Sequence, residues 1–185
     1  GLVEADGSRA CYLLRAARSW DAAGDRGRSI TCLQKAGEAG PGPLLARMWL
    51  VEAFEADGRW AEAAEALRQA AAEVADEAVR ASLLYRSARI SLGRCNDEDA
   101  AESACRALLE LAPDFLAATF DLASIHSSRG DWDAYGLVQQ QLAEASEGSR
   151  RLWLHLDAGD AYDRAGRVQD AIDQYRAALK VEAGS

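Results

Sequence analysis

Two histidines, His126 and His155, four cysteines, and the aspartates Asp157, Asp160 and Asp163 are the side chains here from which covalent or metal chemistry would have to start. Such chemistry needs partners converging on a histidine, and neither His126 nor His155 has a His or Cys three or four residues away. Both therefore read as packing or interhelical hydrogen-bonding residues. The three aspartates share one helical face and read as a solvated acidic stripe, not as carboxylates tuned by burial. Cys11, Cys32, Cys95 and Cys105 lack CxxC spacing, three fall in apolar periodic segments, and the group reads as buried reduced thiols. No GxxxxGK[ST], GxGxxG or GxSxG occurs, so the glycines mark turns and cradle no phosphate. The expectation is no enzyme, with no catalytic residue, cofactor or metal.

Recognition is the remaining class, and composition bounds its partners. The 185 residues are 49% apolar, enough for a continuous core, and 21 basic against 30 acidic side chains leave a net charge of −9. A phosphate backbone is gripped by clustered Lys and Arg, so an acidic chain without a basic block points away from nucleic acid and from anionic membranes. No apolar run approaches the roughly 20 residues of a membrane-spanning helix, and GLVEADGSRA has no signal-peptide pattern. A cytoplasmic location is the expectation. The missing initiator Met reads as an excised or processed piece, which leaves an upstream targeting signal open.

The elements come from an internal repeat. AYDRAGRVQDAIDQY aligns with AFEADGRWAEAAEAL so that Gly166 falls on Gly58, and further turns centre on Gly24, Asn96 and Gly130. These anchors are 34, 38, 34 and 36 residues apart, a period of stacked helix pairs. Around them, Phe54, Ala63, Leu67 and Ala70 recur as Tyr162, Ala171, Tyr175 and Ala178, with Gly159 one turn before Tyr162. In the first pair Ala17, Trp20, Ser29, Leu33 and Ala36 take the matching places. The third keeps Ala101, Cys105 and a closing Pro113 but has Arg89 where a small residue belongs, so its register is open by one residue. The fourth keeps Ala123, Gly130 and Trp132, yet has Tyr135 and Leu142 where alanine is expected, and should pack more loosely or rotated.

This pattern resembles the tetratricopeptide repeats over residues 10 to about 182. The resemblance implies an all-α fold, a right-handed superhelical solenoid of about five antiparallel helix pairs. Residues 1–9 read as an N-terminal extension, and 10–185 as one domain with units near 10–43, 44–81, 82–115, 116–151 and 152–185. The boundaries agree: GEAGPGP at 37–43 cannot be helix, Pro113 ends the sixth helix with Asp114 placed to cap the next, and EGS at 147–149 breaks the fourth pair from the fifth. Trp20, Trp60 and Trp132 are expected in the core.

In such arrays the first helix of each pair lines the concave groove. The resemblance thus places Leu14 and Arg18, then Met48, Trp49, Glu52 and Glu55, then Arg86 and Ile90 on that surface. Phe120, Asp121 and Ser124 follow, and then Trp153, Leu156, Asp157 and Asp160. Trp49 and Trp153 read either as exposed anchors or as partly covered by the next first helix. One subgroup of the family grips a terminal carboxylate with Lys, Asn and Arg, and no window here matches that clamp.

The expected function is a scaffold or adaptor that binds a peptide or helix of a partner protein in this groove. Its acidic end favours a partner that is basic beside apolar residues. The alternative is a regulatory or self-association section of a larger protein such as a kinase or ATPase. Val168, Ile172 and Leu179 form an outer face on the last helix with no partner in this sequence, to be covered by a continuation of the chain, by a partner, or by a second copy in a homodimer through that helix.

Overall fold

Glycine has no Cβ, and asparagine bonds locally, so these two residues accept the left-handed backbone that ends a helix and reverses the chain. All five turn anchors do so, with φ of +78° at Gly24, +73° at Gly58, +53° at Asn96, +68° at Gly130 and +77° at Gly166. In four turns the following N–H reaches back to the same place: Asp25 to Trp20 O, Arg59 to Phe54 O, Asp131 to His126 O and Arg167 to Tyr162 O, at 2.8–2.9 Å. One closing bond, repeated in phase, makes the helix pair the unit of this chain.

The computed structural model describes residues 2–38 and 44–183, with the backbone alone for 2–8 and 38. The described elements are α1 (Leu2–Ala22), α2 (Arg26–Glu38), α3 (Leu44–Ala56), α4 (Trp60–Glu73) and α5 (Glu77–Ile90). A π turn, Ser91–Cys95, continues α5, and α6 (Glu98–Leu111), α7 (Leu116–Arg129), α8 (Trp132–Glu144), α9 (Gly148–Arg164) and α10 (Val168–Ala183) follow. The fold is an all-α helical repeat, and no strand occurs among the described residues. No described helix is long and apolar enough to cross a membrane.

The helices group into two compact units, Gly1–Leu111 and Ala112–Ser185. In the first, α1 to α6 pack as consecutive neighbours. In the second, α8, α9 and α10 pack most extensively, and α7 lies less fully against α8. The division falls beside Pro113, at the end of the third pair.

Small residues sit where helices touch. Ala63, Ala70, Ala101, Ala171 and Ala178 are buried, as are Ala17, Ser29, Leu33 and Ala36 of the first pair. At these places backbones approach closely and larger neighbours such as Leu67, Leu108 and Tyr162 fill the gaps at interior density.

The third pair shows why its register was open. Its closing bond runs from Asp97 N to Ser91 O, one residue longer than in the other turns. The π turn holds that extra residue, so Ala88 takes the buried contact and Arg89 points outward.

Several expectations need correction. Residues 2–9 continue α1 and are not a separate extension, because nothing in them stops a helix. Gly37 and Glu38 complete α2, and residues 39–43 of the GP-rich stretch lie outside the described residues. Phe115, not Asp114, is the N-cap of α7, and no side chain caps it. Trp20, Trp60 and Trp132 are half-buried at the turn ends of their helices, where arginines cover them instead of core: Arg28 at 4.5 Å, Arg94 at 4.8 Å and Arg164 at 4.7 Å from the rings. Of the thiols Cys105 alone is buried; Cys11 is exposed, Cys32 and Cys95 are half-buried, and all are reduced.

Candidate functional site

Each unit has its own surface of first helices. In unit 1–111, α1 and α3 flank an open cleft of about 400 Å³. Trp49 and Glu52 line it beside Arg18, Asp21 and Arg26, over a floor that includes Ala17, Ser29 and Leu33. The Arg18 guanidinium lies 4.1 Å from the Trp49 ring centre, so the indole is half-buried under a cation. Met48 is half-buried and stands outside the cleft. Arg86 Nη2 donates to both carboxylate oxygens of Glu55 at 2.8 Å, a pair joining α5 to α3. Ile90 is only 8% exposed and belongs to the core, a correction to its groove assignment. The residue that the π turn inserts sits directly after it.

In unit 112–185, a second cleft of about 510 Å³ opens where α7 meets α8. Phe120 and Ser124 line it from α7, Tyr135 and Gln139 from α8, and Leu154 from α9. Tyr135 occupies the place held by Ala63, Ala101 and Ala171 elsewhere, and α7 lies less fully against α8 than the partner helices of the other pairs do. Phe120 is 42% exposed and carries the Arg150 guanidinium 5.2 Å from its ring centre.

Asp157 of α9 does not line the cleft but bonds to two residues that do. Its Oδ2 accepts from Tyr135 Oη at 3.1 Å and from Gln139 Nε2 at 2.9 Å, while Gln139 Nε2 also lies 2.5 Å from Tyr135 Oη. Burial first, and then the Asp157 charge, hold the Tyr135 phenol above its usual pKa, so it remains a donor through the neutral range. Gln139 Oε1 is buried with no partner. An unsatisfied buried acceptor of this kind costs about 1–3 kcal/mol.

The other expected residues are placed less uniformly. Trp153 is 68% exposed on α9, outside the cleft that its neighbour Leu154 lines. Leu156 and Asp121 are half-buried, and Ser124 is exposed. Asp160 accepts from Tyr175 Oη at 2.7 Å, which pushes the phenol up to about 12. Asp157, Asp160 and Asp163 are all exposed, as a solvated stripe should be, and Asp157 and Asp160 in addition tie α9 to α8 and α10. His155 Nδ1 donates to Gln174 Oε1 at 2.8 Å across the α9–α10 contact, and His126 is buried with Nδ1 3.8 Å from Asp131 Oδ2. No group of three or more metal-ligating side chains occurs among the described residues.

Tyr135 and Gln139 are the site residues that sequence reasoning missed. Their signal was present: Tyr135 breaks the small-residue rule, and Gln139 lies one turn beyond it on the same face.

A family model described as tetratricopeptide repeat matches residues 14–78 and 154–185, together just over half of the chain. Among solved structures, the MamA protein is 18% identical with a TM-score of 0.50, the alignment covering 96% of this chain and 93% of that one. YrrB, described as a TPR protein with an unusual peptide-binding site, is 14% identical at a TM-score of 0.49, covering 92% and 85%. The Podosopora anserina putative kinesin light chain, with nearly identical TPR-like repeats, is 20% identical at 0.48, covering 96% of both chains. No curated protein matches the sequence. The residues between the two matched stretches hold the π turn and the α7–α8 pair with its cleft. With the turns closing in phase, the contact positions small and buried, and the family model matching over half its length, this chain belongs to the tetratricopeptide repeat family.

Proposed function

We propose that the chain is an interaction module that holds an extended segment or helix of another polypeptide against its first helices. The observation that carries this reading is Trp153, a large indole 68% exposed on α9 with Asp157 and Asp160 exposed on the same helix. An aromatic surrounded by charge is the usual anchor of a protein interface, because its burial releases much water while the charges select the partner. Phe120 is a second anchor in the same unit, on α7. The Trp153→Ala chain is expected to bind polypeptide ligands at least tenfold more weakly, a loss of roughly 1.4 kcal/mol or more. Its helicity by circular dichroism should be unchanged. Equal affinities for the variant and the parent chain would remove Trp153 from the interface.

A second reading is self-association through α10. Val168 is 59% and Leu179 63% exposed, with Ile172 beside them on the same helix face. Concentration-dependent association, abolished by Leu179→Glu, is the expected result in sedimentation or light scattering. A monomer at high concentration would dismiss this reading and leave the first untouched.

A further inference from the structure

The cleft between α7 and α8 has one acceptor with nothing to accept from. Gln139 is only 6% exposed, and its Nε2 is committed to Asp157 and Tyr135. Its Oε1 therefore faces away from both of those partners, buried and unpaired in a side chain that lines the cleft. The Tyr135 hydroxyl likewise donates to Asp157, so the polar end of the cleft offers oxygen and a carboxylate charge. Its walls are mixed: Phe120 and Ala123 of α7 and Leu154 of α9 are apolar, and Ser124, Ser127 and Ser128 of α7 add hydroxyls. Two cations stand at its margin: Arg150 lies on the ring of the Phe120 wall and would have to give way to an incoming stem on that face, and Arg164 lies on the Trp132 ring.

We propose that this cleft is a subsite for a lysine or arginine side chain of a bound polypeptide. The inference rests on the groove-binding reading above and assigns the chemistry of one ligand side chain. The aliphatic stem runs along Phe120 and Leu154, as long cationic side chains do on apolar walls. The nitrogen head donates to Gln139 Oε1 and is drawn by Asp157, whose exposed carboxylate keeps the site open to a charged arrival. A neutral amide could also satisfy Oε1, but it would gain nothing from Asp157. An acidic side chain could reach the serine hydroxyls of α7 but would be repelled by the Asp157 charge beside Tyr135 and Gln139. The volume, about 510 Å³, admits the stem and head of either basic residue.

The test uses the full chain, immobilised and panned against pools of degenerate nine-residue peptides with the central residue fixed in turn. Lysine and arginine pools are expected to be retained about tenfold above the methionine and glutamine pools. That preference should fall to near parity in Asp157→Asn and in Gln139→Met, each checked for parental helicity and melting. Retention of apolar or aromatic pools with no basic preference would overturn the subsite and leave the groove reading standing. A basic preference that survives in the Asp157→Asn, Gln139→Met double variant would also overturn it, because the cation would then be held elsewhere. No retention of any pool would sink both readings.

Discussion

A Tyr162→Ala chain is expected to be about 3–5 kcal/mol less stable than the parent, the range for deleting a fully buried aromatic ring. Tyr162 is buried at the centre of the α8–α9–α10 contact, packed with Ala158 and Ala171. Its ring fills the space that Gly136 leaves: a Cβ at that glycine would come within 2.9 Å of the ring. The ring also carries the Arg167 guanidinium at 4.6 Å, and its hydroxyl donates to Gln140 Oε1 at 3.2 Å. Truncation would leave a cavity bounded by three helices whose turn bond, Arg167 N to Tyr162 O, holds their ends in place and limits collapse. Urea unfolding measures the loss, and hydrogen exchange should locate it in residues 112–185. A loss below about 1 kcal/mol would mean that the ring is not the keystone of this contact.

Gly159→Ala should also destabilise the chain, although alanine is the better helix former. The helix-propensity gain is at most about 1 kcal/mol, and overpacking a close helix contact costs about 1–3 kcal/mol. Here the second term wins, because the new Cβ would sit 2.5, 2.7 and 2.9 Å from three atoms of the Tyr175 ring. That ring cannot move aside freely, since its hydroxyl is bonded to Asp160. Gly27 provides the contrast: it is also helical, but its nearest neighbour, Asp25 Oδ1, is 3.8 Å away. Thermal melts should therefore move in opposite directions, down for Gly159→Ala and up for Gly27→Ala. The double variant Gly159→Ala, Tyr175→Leu should recover part of the loss. A stabilised Gly159→Ala would refute the close approach of α9 and α10.

Both predictions concern positions that the repeat pattern had already marked, Gly159 and Tyr162. The pattern was legible because each helix pair solves the same packing problem, so the same residue types recur at the same distance from the turn. The failures are equally physical. Ile90 read as a groove residue because its position was counted without the residue that the π turn absorbs. Trp20, Trp60 and Trp132 read as core because indoles are large and apolar. At the turn ends of helices, however, guanidinium groups from neighbouring elements cover them in place of apolar core. Asp157 and Asp160 are exposed, as the solvated stripe implies, but their bonds could not be read because the partners, Tyr135, Gln139 and Tyr175, lie on other helices.

The sequence alone determined the period, the five turns, the small-residue contacts and the absence of a familiar catalytic motif, because these are local properties of residue type and spacing. Tertiary structure decided which first-helix residues remain accessible, where arginines replace core as the cover for aromatics, and that Tyr135 and Gln139 line one cleft with Phe120 and Leu154. Those features depend on how one helix lies against the next, which joins residues far apart in the chain.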